Sequence, residues 1–228
     1  MSQLHLKGIH ACVFDAYGTL FDVNAAAAQE SDALGDKWLP LAELWRAKQL
    51  QYTWLRGLAG RHADFWQLTG DALDFAMESL KLDDPDLRRR LLDLYLHLRA
   101  YPEVSKTLMR LKASGMQLAI LSNGTPDMLS AAADCAGITK QMDAILSVEE
   151  VGVFKPHPSV YQLAVDRLSV RPEEICFVSA NGWDAFSARA FGLRVVWCNR
   201  FGQAAERIPE PPDGEIPTLS SLPEIVGA

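Results

Sequence analysis

Asp15 is the residue from which chemistry is most readily built. It closes a short apolar run, Ile9 to Phe14, and precedes the turn-prone Tyr17-Gly18-Thr19. A strand running into such a loop leaves the backbone amides of Tyr17, Gly18 and Thr19 free to surround an anion, and a carboxylate held there can act as a nucleophile. A lone Asp before Gly-Thr can equally do no more than cap a turn. Further along, polar clusters follow apolar runs: Ser122-Asn123-Gly124, Asn181-Gly182 and Asn199-Arg200. In open α/β sheets ligands collect at the carboxyl ends of strands, so these clusters and Asp15 are expected to converge on one crevice.

The elements that must position them alternate. Besides the run that ends at Asp15, strands are expected at Gln117 to Leu121, Ala144 to Ser147, Ile175 to Ser179 and Arg194 to Cys198, with helices between them, the pattern of a parallel sheet with crossover helices. From about Pro40 to Leu98 the texture is helical throughout. Leu41, Leu44, Trp45, Tyr52 and Leu55 keep an approximate helical period. So do Leu87, Leu91, Leu94 and Leu98, with Asp84-Pro85 as a helix start, and another start is expected at Ala25 to Ala28. The fold class is therefore α/β: a Rossmann-like core from residues 1–20 and 103–228, with a helical cap domain, residues 21–102, covering the crevice. The tail from Pro209 to Pro217 reads as a surface loop before a last short strand or helix.

Composition narrows the function. At 228 residues, 49% hydrophobic and 22% charged, the chain reads as globular. No stretch approaches the roughly 20 apolar residues needed to span a bilayer. No apolar core precedes a cleavage site near Met1, so the expected address is the cytoplasm. The net charge of −7 argues against nucleic acid as a partner, because phosphate backbones need clustered Lys and Arg. Any anionic substrate must then be held by a few local cations. Cys12, Cys135, Cys176 and Cys198 form no C-x-x-C pair and read as four buried thiols. The five histidines fall at no zinc-ligand spacing, so no metal site is expected.

Four motifs then order the reading: F-D-A-Y-G-T-L-F-D at Phe14 to Asp22, L-S-N-G at Leu121 to Gly124, F-K-P at Phe154 to Pro156, and F-V-S-A-N-G-W-D at Phe177 to Asp184. They resemble the four motifs of the haloacid dehalogenase superfamily, in its order and over nearly the whole chain, and in detail they look like its L-2-haloacid dehalogenase branch. That superfamily also holds magnesium-dependent phosphatases, and chemistry separates the two. Phosphoryl transfer to a carboxylate brings two anions together, so a dication and several acidic ligands are needed. Asp184 is the only carboxylate of the fourth motif here. An alkoxide leaving group also needs a proton from an acid two positions after the nucleophile, and position 17 is a tyrosine. A halide is a very weak base and needs none.

The resemblance implies that Asp15 attacks C2 of an L-2-haloalkanoic acid, that halide departs, and that water cleaves the resulting ester to a D-2-hydroxy acid, without any cofactor. It assigns Lys155 to the charge of Asp15, and Thr19 and Ser122 to hydrogen bonds with the nucleophile and the substrate carboxylate. Asp184, aided by Ser179 and Asn181, would orient or activate the water. Tyr161 would hydrogen-bond Asp184 or Lys155, although in a helix with Leu163 and Leu168 it could equally be core packing. Arg46, assisted by Asn123, would receive the halide from the cap, where a solvated arginine would otherwise be the plain reading. Tyr17, Leu50, Phe65 and Trp183 would wall the alkyl group. Ala47 departs from relatives that carry glutamine, which puts pocket size in question. The resemblance also implies a homodimer, for which Trp38, Trp45, Trp54 and Trp66 offer an apolar patch. The rival readings are a phosphatase on the same fold and a catalytically silent binding protein.

Overall fold

The computed structural model describes residues 4–23 and 28–228. Its centre is a parallel sheet of β1 (Ala11–Phe14), β2 (Gln117–Ser122), β3 (Ala144–Ser147), β4 (Ile175–Ser179), β5 (Arg194–Cys198) and β6 (Gly214–Ile216). The spatial order is β3-β2-β1-β4-β5-β6. Every residue of β1 and β4 is buried, which is why these runs are continuously apolar rather than alternating: helices cover both faces of a parallel sheet. Phe14 sits opposite Ile120 on one side and Val178 on the other.

From β1 the chain winds outward to β2 and β3, then returns across the sheet to β4, β5 and β6. That reversal opens a crevice at the carboxyl ends of β1 and β4. Asp15 and the segment Ser179 to Asn181 lie there. The backbone of Asp15 is still held by the sheet, its amide donating to the Val178 carbonyl at 2.9 Å.

Between β1 and β2 the chain forms α1 (Ser31–Leu34), α2 (Trp38–Leu58), α3 (Phe65–Ser79) and α4 (Pro85–Leu96). The Asp84 side chain accepts from the Leu87 amide at 2.9 Å and Pro85 opens α4, as the sequence predicts. The start expected at Ala25 lies outside the described residues. In α3 the buried face includes Phe65, Leu68, Leu73 and Met77, and truncating Leu73 to alanine would cost about 2–5 kcal/mol.

Three expectations need correction. The buried stripe of α2 is Leu41, Ala42, Trp45, Gln49 and Thr53, while Leu55 is 53% exposed. A polar stripe can face inward here because Gln49 Nε2 donates to Thr69 Oγ1 at 2.7 Å and Trp45 Nε1 to the Thr69 carbonyl at 2.8 Å. Trp45 is thus a core residue and not part of an exposed patch.

The tail is not all loop, since Gly214–Ile216 pairs with β5 as the edge strand β6. The neighbouring Asp213 carboxylate accepts from the Val195 amide at 2.7 Å and pairs with Arg194 at 2.9 Å. Three residues with one buried side chain are too few for a periodicity to register.

Of the cysteines, Cys12, Cys176 and Cys198 are buried but Cys135 is exposed. It ends a helix whose buried face carries Leu129, Ala132 and Ala133.

The crossovers are α5 (Val104–Ala113), α6 (Pro126–Cys135), α7 (Pro158–Leu168) and α8 (Gly182–Phe191), and α9 (Leu222–Val226) follows β6. The strands leading into and out of the inserted helices pair with each other. The Tyr101 amide donates to the Leu20 carbonyl and the Asp22 amide to the Arg99 carbonyl, both at 3.0 Å, with an antiparallel bridge between Phe21 and Ala100. Among the described residues no helix is long and apolar enough to cross a membrane.

Candidate active site

The crevice holds a chain of charged contacts. Lys155 Nζ lies 3.0 Å from Asp15 Oδ1 and 2.9 Å from Asp184 Oδ2, and the lysine and Asp184 side chains are 1% and 0% exposed. Asp15 Oδ2 accepts from Thr19 Oγ1 at 3.0 Å and from Asn181 Nδ2 at 2.8 Å. Tyr161 Oη donates to Asp184 Oδ1 at 2.8 Å. Each carboxylate oxygen therefore has a donor, which is what permits two acids to be buried together.

Burial alone would push the Lys155 ammonium down, but the charges of Asp15 and Asp184 outweigh it and hold it above its ordinary value. For Asp184 burial dominates and raises the carboxyl above the ordinary 3.8, with Lys155 offsetting only part of the shift. Burial first, and then the charge of Asp184, pushes the Tyr161 phenol well above its usual range, so it stays a donor.

The fold accounts for each position. Asp184 lies in the first turn of α8, where the helix dipole favours a negative charge. Tyr161, on α7, fulfils both of its alternatives: it packs edge-on against Phe177 at 5.8 Å and bonds Asp184. Ser179 Oγ accepts from the Asn181 amide at 3.1 Å and shapes the turn after β4. Thr19 Oγ1 also accepts from the Ala180 amide at 2.8 Å, tying the two strand-end loops together.

Two of the three amides expected to face an anion, those of Gly18 and Thr19, are turned into the loop itself. The Gly18 amide donates to the Phe21 carbonyl at 2.7 Å and the Thr19 amide to the Ala16 carbonyl at 3.3 Å, so the turn closes on itself and these donors are spent. Gly18, at φ 87°, lies in the left-handed region that such a turn favours for glycine.

Arg46 reaches down from α2, its guanidinium donating to Gln49 Oε1 at 2.7 Å and to Asn181 Oδ1 at 3.2 Å. One asparagine therefore separates it from Asp15. It makes no bond to Asn123, whose Oδ1 instead accepts from the Lys155 amide at 3.0 Å. Ser122 is fully buried at the end of β2, its hydroxyl accepting from the Gly124 amide at 3.2 Å rather than contacting Asp15. Tyr17 and Phe65 pack with their rings tilted at 5.9 Å, and Trp183 meets Trp54 edge-on at 5.4 Å. Leu50 is half-buried one turn beyond Arg46 on α2. An open cleft of about 390 Å³ is lined by residues that include Tyr17, Arg46, Ala47, Asn181 and Phe201. Among the described residues, no group of three or more His, Cys, Asp or Glu side chains could hold a metal ion.

Three contributors escape sequence reading. Gln49 is 1% exposed and orients Arg46, but nothing in a hydrophobic pattern marks a buried glutamine. At Gly124 a Cβ would come within 2.9 Å of the Tyr17 ring and hydroxyl, so any other residue would force that ring to move. From sequence, Arg200 is only one member of a polar cluster after β5.

Fold and site together define a class: an α/β enzyme with a lysine-bridged pair of carboxylates at the switch point of a parallel sheet. Residues 9–192 match the family model for haloacid dehalogenase-like hydrolases. (S)-2-haloacid dehalogenase 1 of Pseudomonas sp. (strain CBS-3) is 49% identical over 96% of each chain. The crystal structure of a dehalogenase with an intermediate complex superimposes with a TM-score of 0.96, at 42% identity, over 98% of this chain and 99% of that one. L-2-haloacid dehalogenase from Xanthobacter autotrophicus, with chloropropionic acid covalently bound, gives 0.88 at 38% identity over 95% and 97%. The chain belongs to the haloacid dehalogenase-like hydrolase family, in its L-2-haloacid dehalogenase branch.

Proposed function

We propose that the protein hydrolyses short L-2-haloalkanoic acids to D-2-hydroxy acids through an ester on Asp15. An oxygen of Asp15 bonds to C2 from the side opposite the halogen. The carbon–halogen bond breaks, its electron pair leaves with the halide, and the carbon inverts. Water, oriented or deprotonated by Asp184, then adds to the ester carbonyl carbon, and the bond from that carbon to the product oxygen breaks to restore the carboxylate. One oxygen of Asp15 thus leaves in the alcohol, with a proton drawn from the water.

The observation that carries this reading is the Lys155 ammonium set between Asp15 and Asp184, at 3.0 and 2.9 Å. It pairs with the nucleophile in a buried site and lies where charge develops on the ester oxygen during hydrolysis. Arg46 and Asn123 receive the halide, a charge that is fuller in the transition state than in the substrate. Ser122 holds the substrate carboxylate. Tyr17, Leu50, Phe65 and Trp183 enclose the alkyl group, and residues 21–102 act as a cap domain over the site. No cofactor enters the scheme.

The protein works as a cytoplasmic homodimer in this reading. Free thiols suit a reducing compartment. Leu55 and Leu58, 53% and 89% exposed beside Trp54 on α2, supply an apolar face for the second copy.

The test is chloride release from each enantiomer of 2-chloropropionate, with and without a chelator. Release from the L form that ignores the chelator is expected. Rapid phosphomonoester hydrolysis that needs magnesium, in place of chloride release, would move the protein to the phosphatases, and inertness to both would make it a binding protein.

A further inference from the structure

We infer that Arg200 is a positioning residue that ties the seating of the inserted helices to the alignment of Asp15. The inference rests on the proposed role of Asp15, but its geometry lies outside the lysine-bridged cluster. Arg200 follows β5, and its side chain is 6% exposed. One terminal nitrogen pairs with Glu103 Oε1 at 2.6 Å, the other donates to the Thr19 carbonyl at 2.8 Å, and the guanidinium carbon stands 3.8 Å over the Tyr101 ring.

These three partners sit on the two crossings between core and insertion. Thr19 precedes Leu20–Asp22, the outgoing crossing, while Tyr101 and Glu103 follow Arg99 on the return, and the two crossings are bonded to each other. Arg200 therefore fastens both to the sheet at one point. It does so beside the nucleophile, because Thr19 donates its hydroxyl to Asp15 Oδ2 at 3.0 Å and accepts from the Ala180 amide at 2.8 Å. With its carbonyl held by Arg200 and its hydroxyl held by Ala180, Thr19 presents its proton to Asp15 from a fixed place.

A planar fork over an aromatic face can satisfy the carbonyl, the carboxylate and the ring together, and an ammonium cannot. Glu103 is itself held at this spot, its Oε1 accepting from the Leu219 amide at 3.3 Å. Its burial would raise the carboxyl, but backbone amides and Arg200 bring it below its ordinary value, so the pair remains ionised near neutrality.

The experiment compares the full-length wild type with Arg200→Ala and Arg200→Lys. It reads the single-turnover rate of ester formation from L-2-chloropropionate, kcat, KM, the fraction of active sites from burst amplitude, and amide hydrogen exchange. Arg200→Ala is expected to melt cooperatively and to slow ester formation and kcat together by about 10- to 100-fold, with KM little changed, because a misplaced nucleophile reacts slowly while substrate still binds. Arg200→Lys recovers little. Exchange of the Asp22 and Tyr101 amides accelerates, while that of β3 amides does not. If Arg200→Ala fails to fold, Glu103→Gln is read the same way.

Ester formation within a few-fold of wild type, or a loss accounted for by inactive protein, overturns the inference. If the wild type releases no halide, the functional reading falls separately. The inference then stands or falls on the exchange of the two crossing amides alone.

Discussion

Tyr161 donates its hydroxyl to Asp184 Oδ1 at 2.8 Å within a core where neither side chain reaches solvent. The bond favours the ionised form of an acid that burial has already raised above 3.8. Asp184 must be ionised to draw a proton from water, so hydrolysis of the ester should fail on the acid side at a pH above the ordinary carboxylate value. Tyr161→Phe removes a donor to the charged form and should move that limb to higher pH. A pH profile of the ester-hydrolysis step checks this, and an unmoved limb contradicts it. Asp184→Asn should let the ester form but slow its hydrolysis by about 10²- to 10⁴-fold, leaving a protein heavier by the bound acyl chain. A raised carboxyl takes up a proton more readily folded than unfolded, so its contribution falls as pH rises from the ordinary value through the folded one.

Lys155 carries the opposite lesson. Its contribution to stability is present below its ordinary value of 10.5 and is lost only as pH rises through the still higher folded value. Lys155→Met leaves Asp15 and Asp184 buried without their shared cation, a loss of about 3–5 kcal/mol. Thermal unfolding should show a lower midpoint near neutrality, with the gap to wild type narrowing as acid protonates Asp184. A gap independent of pH would separate Lys155 from that pair.

Arg46 depends on a residue that no pattern flags. Arg46→Ala should lower kcat on the order of 10²- to 10³-fold, as removal of a donor to developing negative charge does. Arg46→Lys should recover little, since a point charge replaces a fork. Gln49→Leu keeps Arg46 and its bond to Asn181 but removes the second acceptor of its guanidinium, and a loss of roughly 10-fold in kcat is expected for the misplacement. Steady-state kinetics on L-2-chloropropionate measure all three, and near-normal turnover by the alanine variant would remove Arg46 from the site.

Leu58, 89% exposed on α2, is the most exposed of the large hydrophobic side chains among the described residues. Leu58→Glu should shift sedimentation from dimer to monomer without changing the melting of the monomer. A wild type that sediments as a monomer would end the dimer proposal.

What could be read beforehand follows from how strongly each feature is written in residue type. The strands at Ile175 and Arg194 are legible because buried parallel strands are continuous apolar runs, and α4 because Asp84-Pro85 is a cap signal. Asp15 is legible as the acid that closes an apolar run before a turn, but that Lys155 and Asp184 meet it is legible only through motif order, because no spacing in sequence brings positions 15, 155 and 184 together. The inward stripe of α2 was hidden because Gln49 and Thr53 are polar, and β6 because three residues hold no period. The bonds of Arg200 depend on partners far off in the chain, which only the folded arrangement supplies, while the turn at Gly18 closes locally through Phe21 and Ala16, in a way that no residue type announces.

The most direct test of the central claim is a single turnover in heavy-oxygen water, with enzyme in excess over L-2-chloropropionate. The account predicts an unlabelled hydroxyl in the product and heavy oxygen in the peptide that contains Asp15. Label appearing at once in the product hydroxyl, with the protein unlabelled, would mean that water attacks the substrate directly and that no ester on Asp15 forms.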